Sequence, residues 1–140
     1  MLQSALTRVF QGLAWLVLAG LVVQFYLAGA ALFGAMTFEA HRALGYLLTV
    51  AILLLLVVAL VARPGRRLVG LTVLLVGLTV VQVLLPSLRT GLPWVAALHV
   101  IVAVRIGAQA AAIARSPRRA TEGSRSPDTT AKLPNALRGA

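Results

Sequence analysis

The sequence predicts an all-α protein, a four-helix transmembrane bundle made of two helical hairpins that a parallel internal repeat relates. Three observations predict this fold: an apolar composition, four long apolar segments, and a Gln–His pair that recurs at one spacing. Of the 140 residues, 60% are hydrophobic and only 11% are charged. A water-soluble domain carries about 25% charged residues. The composition therefore excludes a soluble globular protein.

Four apolar segments give the predicted helices, at about residues 12–35, 38–62, 68–88 and 93–114. Each approaches or exceeds the length of roughly 20 residues that a helix needs to cross a bilayer. Runs of this length without alternation indicate helices, because a lipid-exposed backbone must satisfy its own hydrogen bonds. We expect residues 1–115 to form one transmembrane domain that contacts the lipid bilayer.

Signals at two helix starts set the expected register. Thr37 is a predicted N-cap for the second helix, and Glu39 in the first turn would favour the positive end of the helix dipole. Pro93 suits the first position of the fourth helix. The only two histidines of the chain, His41 and His99, are then expected near the starts of their helices.

Basic residues concentrate on one side of this topology, although the net charge of +10 at first suggests a nucleic-acid partner. Ten of the 13 lysines and arginines lie before the first helix, between the second and third, or after the fourth. The positive-inside rule then places both termini in the cytoplasm and excludes nucleic acid as the partner. Abundant arginine and alanine favour a bacterium, so the predicted location is the bacterial cytoplasmic membrane. Residues 116–140 are polar and basic, which predicts a disordered cytoplasmic tail.

Both halves of the chain carry the same polar pair. Gln24 precedes His41 by 17 residues, Gln82 precedes His99 by 17, and the two pairs are offset by 58. Two hairpins of equal orientation are related by a pseudo-twofold axis along the membrane normal. Each histidine then lies near the outer face, on the second or the fourth helix. Polar side chains are costly at membrane depth, so these four residues are predicted to be functional.

The chemistry best matched to two facing histidines is the binding of b-type haem, with a neutral imidazole on each side of the iron. One turn below the histidines, Gly45 and Ala103 lie on the same helix faces and leave space for a flat macrocycle. Metal binding by the imidazoles alone is the weaker alternative, because Glu39 is the one carboxylate nearby. The chain has no cysteine, which excludes a thiolate or iron–sulfur site. The prediction implies electron transfer or haem handling near the outer face.

Other polar residues leave two alternatives open. Arg42 and Arg89 lie at the outer edge, where they can pair with haem propionates or with lipid headgroups. Arg105 falls near the middle of the fourth helix, where a charge costs about 2.5–3.5 kcal/mol. Together with Gln24 and Gln109, it suggests a minimal transporter or a quinone-interacting protein. The other alternative is a non-catalytic protein whose small-residue faces pack against a larger membrane partner or a second copy. No residue is predicted to be catalytic, and enzymatic activity is left open.

Four short motifs stand out in the chain: Gln24-Phe25-Tyr26-Leu27-Ala28-Gly29, His41-Arg42-Ala43-Leu44-Gly45, Gln82, and Ala97-Leu98-His99. Together they resemble a family of small four-span bacterial membrane proteins of unknown function. The resemblance covers about residues 8–115. That family often has proline after the last motif, where this chain has Val100.

A more remote resemblance concerns Glu39-x-His41-Arg42 and the pattern Gln82…Leu98-His99, which look like one half of heme A synthase. In that family each four-helix half carries two histidines that ligate haem, with a glutamate nearby. The resemblance implies His41 and His99 as axial ligands and Glu39 as a weaker candidate beside them. The family has Glu-x-x-His where this chain has Glu-x-His, and only half of the enzyme's architecture is present.

Overall fold

A computed structural model describes residues 1–116 of the protein. Four helices run through this part of the chain: α1 at Leu2–Leu32, α2 at Glu39–Ala62, α3 at Arg66–Leu84 and α4 at Pro93–Ala114. A 3₁₀ turn at Leu85–Leu88 continues α3 toward α4. No strand occurs within residues 1–116, and the predicted all-α class is confirmed. The predicted basic tail lies outside the described residues, apart from Ser116.

Each helix is long and apolar enough to cross a membrane. Only 17–22% of the residues in each apolar stretch are buried inside the bundle. The rest present aliphatic groups outward, as Val50, Leu54 and Ile101 do. A soluble monomer does not expose contiguous apolar surface on this scale, whereas lipid accepts it. The chain is therefore a multi-pass integral membrane protein.

The four helices form a ring in chain order. Helix α1 packs on α2 and α4, and α3 also packs on α2 and α4. The pairs α1/α3 and α2/α4 therefore lie on the diagonals of the bundle. Short turns join the helices, so α2 and α4 start at the same end. We call this end, where α1 and α3 finish, the histidine end, and the opposite end the packed end.

The tight core lies between the packed end and the middle of the bundle. All four helices contribute to it. Its most buried large side chains, each 2% exposed or less, are Phe10, Val17, Ile52, Leu55, Leu75 and Ile113. Toward the histidine end this packing gives way to a cavity, so the two ends of the bundle differ in kind.

Helix α1 begins at Leu2, ten residues before the start predicted from the apolar segment. Gln3 donates a hydrogen bond to the carbonyl oxygen of Ala62, and Gln11 donates one to that of Ala114. These two carbonyls lie at the C-terminal ends of α2 and α4, where helical partners are missing. Polar residues that an apolar count leaves out thus extend α1, because they satisfy the ends of its neighbours.

The turn between α1 and α2 corrects two further expectations. Helix α1 ends three residues early, because Gly34 adopts a φ of 77° and the left-handed conformation stops the helix. The N-cap of α2 is Phe38, with no side-chain hydrogen bond, so the predicted Thr37 cap is wrong. The helix begins one residue too late for that hydroxyl to cap it. Glu39 lies in the first turn, as predicted.

Candidate functional site

The histidine end brings both Gln–His pairs into one site. Helix α4 begins at Pro93, as predicted, which places His99 in its second turn, while His41 lies in the first turn of α2. The two imidazole rings face each other across the diagonal, with centroids 6.4 Å apart and planes inclined at 63°. The rings therefore point into the bundle and not toward lipid.

The first pair links α1 to α2 through three contacts. The Nδ1 atom of His41 lies 3.2 Å from the backbone oxygen of Gln24. In return, Nε2 of Gln24 donates to the backbone oxygen of His41 at 2.8 Å. The same amide nitrogen lies 3.4 Å from Nε2 of the imidazole. The ring is thus held at both of its nitrogens by one glutamine.

The second pair repeats two of these three contacts between α3 and α4. The Nδ1 atom of His99 lies 3.0 Å from the backbone oxygen of Gln82. The Nε2 atoms of Gln82 and His99 are 3.0 Å apart. The 58-residue repeat therefore extends from the sequence to the contacts of the side chains, as expected for two hairpins related by a pseudo-twofold axis.

These contacts fix the tautomer of both histidines. A backbone carbonyl can only accept a hydrogen bond, so Nδ1 carries the proton in each ring. The lone pair of each neutral imidazole is then on Nε2, where it accepts from the glutamine amide. Each Nε2 lies against the amide of its own glutamine, and all four residues line one cavity.

The orientation of each glutamine side chain follows from these contacts, and each orientation leaves the amide oxygen without a hydrogen-bond partner. The amide nitrogens of Gln24 and Gln82 must point at acceptors, so their Oε1 atoms point elsewhere. Both oxygens are buried and unpaired among the residues that the structure describes. Burying an unpaired acceptor costs about 1–3 kcal/mol. The two oxygens occupy equivalent positions in the two hairpins, and each is an acceptor that a donor in the cavity could satisfy.

A cavity of about 290 Å³ lies between the two pairs and extends toward the middle of the bundle. Much of its lining is aliphatic or small: Leu21, Leu48, Ile52, Val83, Ala103 and Ile106. The hydroxyls of Thr49 and Thr79 donate to carbonyls one turn earlier in their own helices, at 2.9 and 2.8 Å. The cavity is thus an apolar space with a few polar groups at one end, the usual character of a small-molecule site.

Gly45 determines how closely the first pair packs on α2. A Cβ atom at this position would lie 3.1 Å from Nε2 of Gln24, closer than most real Cβ contacts. The glycine therefore lets the amide lie directly against the helix. Ala103 lines the same cavity from α4. Both small residues that the sequence singled out are at the site.

The two outer arginines occupy different positions at the histidine end. Arg42 lines the cavity and is exposed. Arg89 follows the 3₁₀ turn, is also exposed, and is not part of the cavity lining. The histidine end therefore carries a cation at the cavity and a second cation on the loop before α4.

The remaining polar residues do not join the site. Gln109 is 2% exposed, and its Nε2 donates to the backbone oxygen of Leu71 at 3.0 Å, which ties α4 to α3. Arg105 lies on the exposed surface of α4. Arg105, Gln24 and Gln109 therefore do not converge on one site.

Two aromatic residues belong to the site, although the sequence patterns did not predict them. Phe38 packs edge-on against His41, with ring centroids 6.0 Å apart and planes at 87°. Phe25 lines the cavity although 45% of it is exposed. Phe25 directly follows Gln24 in the chain, and this position next to a polar intramembrane residue is the one sequence feature that could have indicated its place in the site.

The site offers few metal ligands. Within residues 1–116, no three side chains of the His, Cys, Asp and Glu types cluster so as to hold a metal ion. An incoming metal would find two imidazole nitrogens and no third ligand of the His, Cys, Asp or Glu types from these residues. Two axial ligands suffice for a metal whose equatorial positions are already filled by a macrocycle, but not for a bare ion.

The fold and the paired site define a class, an integral membrane protein of four helices with an internally repeated Gln–His centre. A family model described as "Family of unknown function (DUF6220)" matches residues 24–90. The matched region begins at Gln24 and contains His41 and Gln82, but it ends before His99. No curated protein matches the chain, and no solved structure matches it. The similarity supports an uncharacterised family and assigns no cofactor.

Proposed function

We propose that this protein binds b-type haem between His41 and His99 and serves in electron transfer or haem handling. The observation that carries the proposal is the facing pair of imidazoles, one from each of two diagonal helices, with centroids 6.4 Å apart. Two imidazoles that bind one metal from opposite sides have ring centres roughly 6 Å apart, since each metal–nitrogen bond is about 2 Å. The two ring centroids already lie at this separation.

The hydrogen bonds at Nδ1 support the same proposal. Histidines that bind metals usually donate their other ring nitrogen to a carbonyl or carboxylate, which fixes the tautomer and the ring orientation. Here the backbone oxygens of Gln24 and Gln82 are the acceptors. A proton on Nδ1 leaves the lone pair of the neutral ring on Nε2, the atom that would bind the metal.

The residues fit haem on condition that the glutamine side chains move. A macrocycle needs more room than a 290 Å³ cavity, which is at the lower limit of small-molecule pockets. The amides of Gln24 and Gln82 also lie where a metal would approach Nε2. Rotation of these two side chains frees the lone pairs and enlarges the cavity. The partly exposed Phe25 can move with them, while Gly45 and Ala103 leave space beside the helices.

The charged residues of the histidine end fit the periphery of such a group. Arg42, at the cavity, is placed to pair with a propionate, and Arg89 is available on the neighbouring loop. When bound, haem supplies reversible one-electron chemistry. The chain itself contributes the two ligands, the carbonyls that orient them, and an apolar surrounding that excludes water.

A second candidate rests on the unpaired oxygens. Oε1 of Gln24 and Oε1 of Gln82 accept from no group among the described residues, and they border an apolar cavity. A small apolar molecule with two hydroxyl groups, such as a reduced quinone, would supply the missing donors. This candidate uses the glutamines as the binding groups and leaves Nε2 of both histidines bonded as they are.

The absorption spectrum of the purified protein tests the proposal. Expression with a haem precursor, purification in detergent and conversion to the pyridine haemochrome identify both the presence and the type of haem. We expect a Soret band in the wild-type protein and its loss in His41→Ala and in His99→Ala. Thr49→Ala is the matched control, because this residue lines the same cavity and its hydroxyl bonds only to its own helix.

The outcomes separate the two candidates. A folded but colourless wild-type protein, or a Soret band that survives both histidine substitutions, would contradict haem ligation. A colourless protein from which organic solvent extracts a stoichiometric quinone would favour the second candidate. Circular dichroism of each variant shows whether the helices remain intact.

A further inference from the structure

Arg105 lies at a depth where an arginine needs a partner. It is twelve residues from Pro93 and nine from Ala114, the ends of α4, which at 1.5 Å per residue is roughly 18 Å and 13 Å. Gln109 of this helix and Arg115, its C-cap residue, both have acceptors. Arg105 is exposed and forms no hydrogen bond or ion pair with the rest of residues 1–116.

The direction of the side chain does not bring the charge to the nearer membrane surface. Side chains on a helix lean toward its N-terminus. In α4 this direction leads from Arg105 toward the histidine end, the more distant of the two ends. The guanidinium group is therefore expected to stay within the apolar layer, where an anion is its natural partner.

The internal repeat provides a comparison for this position. The residue 58 positions earlier is Leu47, which is 67% exposed. A leucine is the ordinary side chain for a lipid-facing surface. The two hairpins thus differ here, because the second hairpin carries an exposed cation where the first carries an exposed leucine.

We propose that the face of α4 around Arg105 docks a transmembrane helix of a different membrane protein, which supplies an aspartate or glutamate carboxylate to Arg105. Charge complementarity carries the argument, and the exposed Ala108 and Ala112 on the same face allow a helix to approach closely. Residues 1–116 of a second copy offer no carboxylate at this height, because their single acidic residue, Glu39, begins α2 at the histidine end.

Photo-crosslinking in the membranes of the native host tests this docking. Benzoylphenylalanine replaces Ile101, one turn from Arg105 on the same face and 66% exposed. The matched control is the same replacement at the exposed Ala43, its equivalent in the first hairpin. We expect one protein adduct from position 101, none from position 43, and at least a tenfold loss of the adduct when Arg105→Leu is added. The captured protein should carry an acidic residue within a transmembrane segment.

Charge reversal then tests the ion pair itself. Replacing the partner's acidic residue by arginine should abolish the adduct, and combining that change with Arg105→Asp should restore it. Adducts to lipid only, an adduct to a second copy of the chain, or an adduct unaffected by Arg105→Leu would overturn the proposal. These results do not depend on haem, because neither Ile101 nor Arg105 lines the cavity between the histidines.

Discussion

The packed end and the histidine end of the bundle are built from the same four helices but differ in how their side chains pack. At the packed end, buried aliphatic and aromatic side chains such as Leu55 and Leu75 fill the space between all four helices. At the histidine end, the same helices enclose a cavity of about 290 Å³ and two buried glutamine oxygens without partners. Natural interiors seldom contain such defects without a use. The tight packing of the bundle thus lies at one end and the candidate binding site at the other.

The helix connections sharpen this contrast. The packed end is also tied by polar contacts, since Gln3 and Gln11 of α1 satisfy the last carbonyls of α2 and α4. At the histidine end, the glutamines hold histidines and not helix termini. Glutamine therefore links helix ends at the packed end and holds the imidazole rings in place at the histidine end.

The largest predicted effect is on stability at the packed end. Leu75 is fully buried, whereas its neighbour Leu74 is 45% exposed. We expect Leu75→Ala to lower the free energy of unfolding by about 2 kcal/mol, the lower end of the range for buried leucines. The loss is at the lower end because a leucine that leaves the core of a membrane protein is still surrounded by apolar lipid tails. Leu74→Ala should change the free energy of unfolding little. Thermal unfolding in detergent measures both, and equal losses in the two variants would break the distinction between core and lipid surface.

A smaller effect is predicted at the histidine end, on binding and not on folding. A Cβ at Gly45 meets the amide of Gln24 at 3.1 Å, so Gly45→Val should obstruct the cavity and lower haem content about tenfold, the equivalent of ~1.4 kcal/mol. Gly77→Val is the control, because a Cβ at Gly77 meets nothing within 4 Å. Haem per protein is measured by the pyridine haemochrome. An unchanged haem content in Gly45→Val would show that the cofactor does not occupy this cavity.

The smallest predicted effect distinguishes the two glutamines. Gln24→Leu removes two amide hydrogen bonds and Gln82→Leu removes one. At about 0.6 kcal/mol per hydrogen bond in a membrane, the expected losses of unfolding free energy are roughly 1.2 and 0.6 kcal/mol. Both variants should keep their haem, since the amides occupy the Nε2 lone pairs and supply no ligand. Loss of the Soret band in either variant would mean that glutamine has a direct role in the site.

Much of the fold was predictable from composition and length. Four apolar stretches of spanning length can only be helices in lipid, so the all-α bundle followed before any contact was known. The boundaries were less accurate where polar residues belong to a helix, as at Gln3 and Gln11 of α1. A boundary predicted from apolar residues falls at such polar residues, because the sequence does not show that the end of a neighbouring helix lies beside them.

The candidate site was predictable in part, for a different reason. The equal spacing of the Gln–His pairs predicted two equivalent hairpins and a meeting of the histidines. Spacing along one chain does not fix which side of a helix faces its neighbour. The sequence therefore left Arg105 and Gln109 as possible members of the site, and only the helix rotations separate them from it. The cytoplasmic location of both termini, the location in a bacterial membrane and the binding of haem remain predictions.

The sequence by itself determined that this chain is a membrane-spanning four-helix protein with two matched polar pairs, because hydrophobic length and an internal repeat are properties of order along the chain. The tertiary structure alone decided that the histidines face each other at 6.4 Å, that each Nδ1 meets a backbone carbonyl, and that Arg105 faces outward. These outcomes depend on how the helices rotate and pack against one another. Packing is set by side chains far apart in sequence, which no local pattern records.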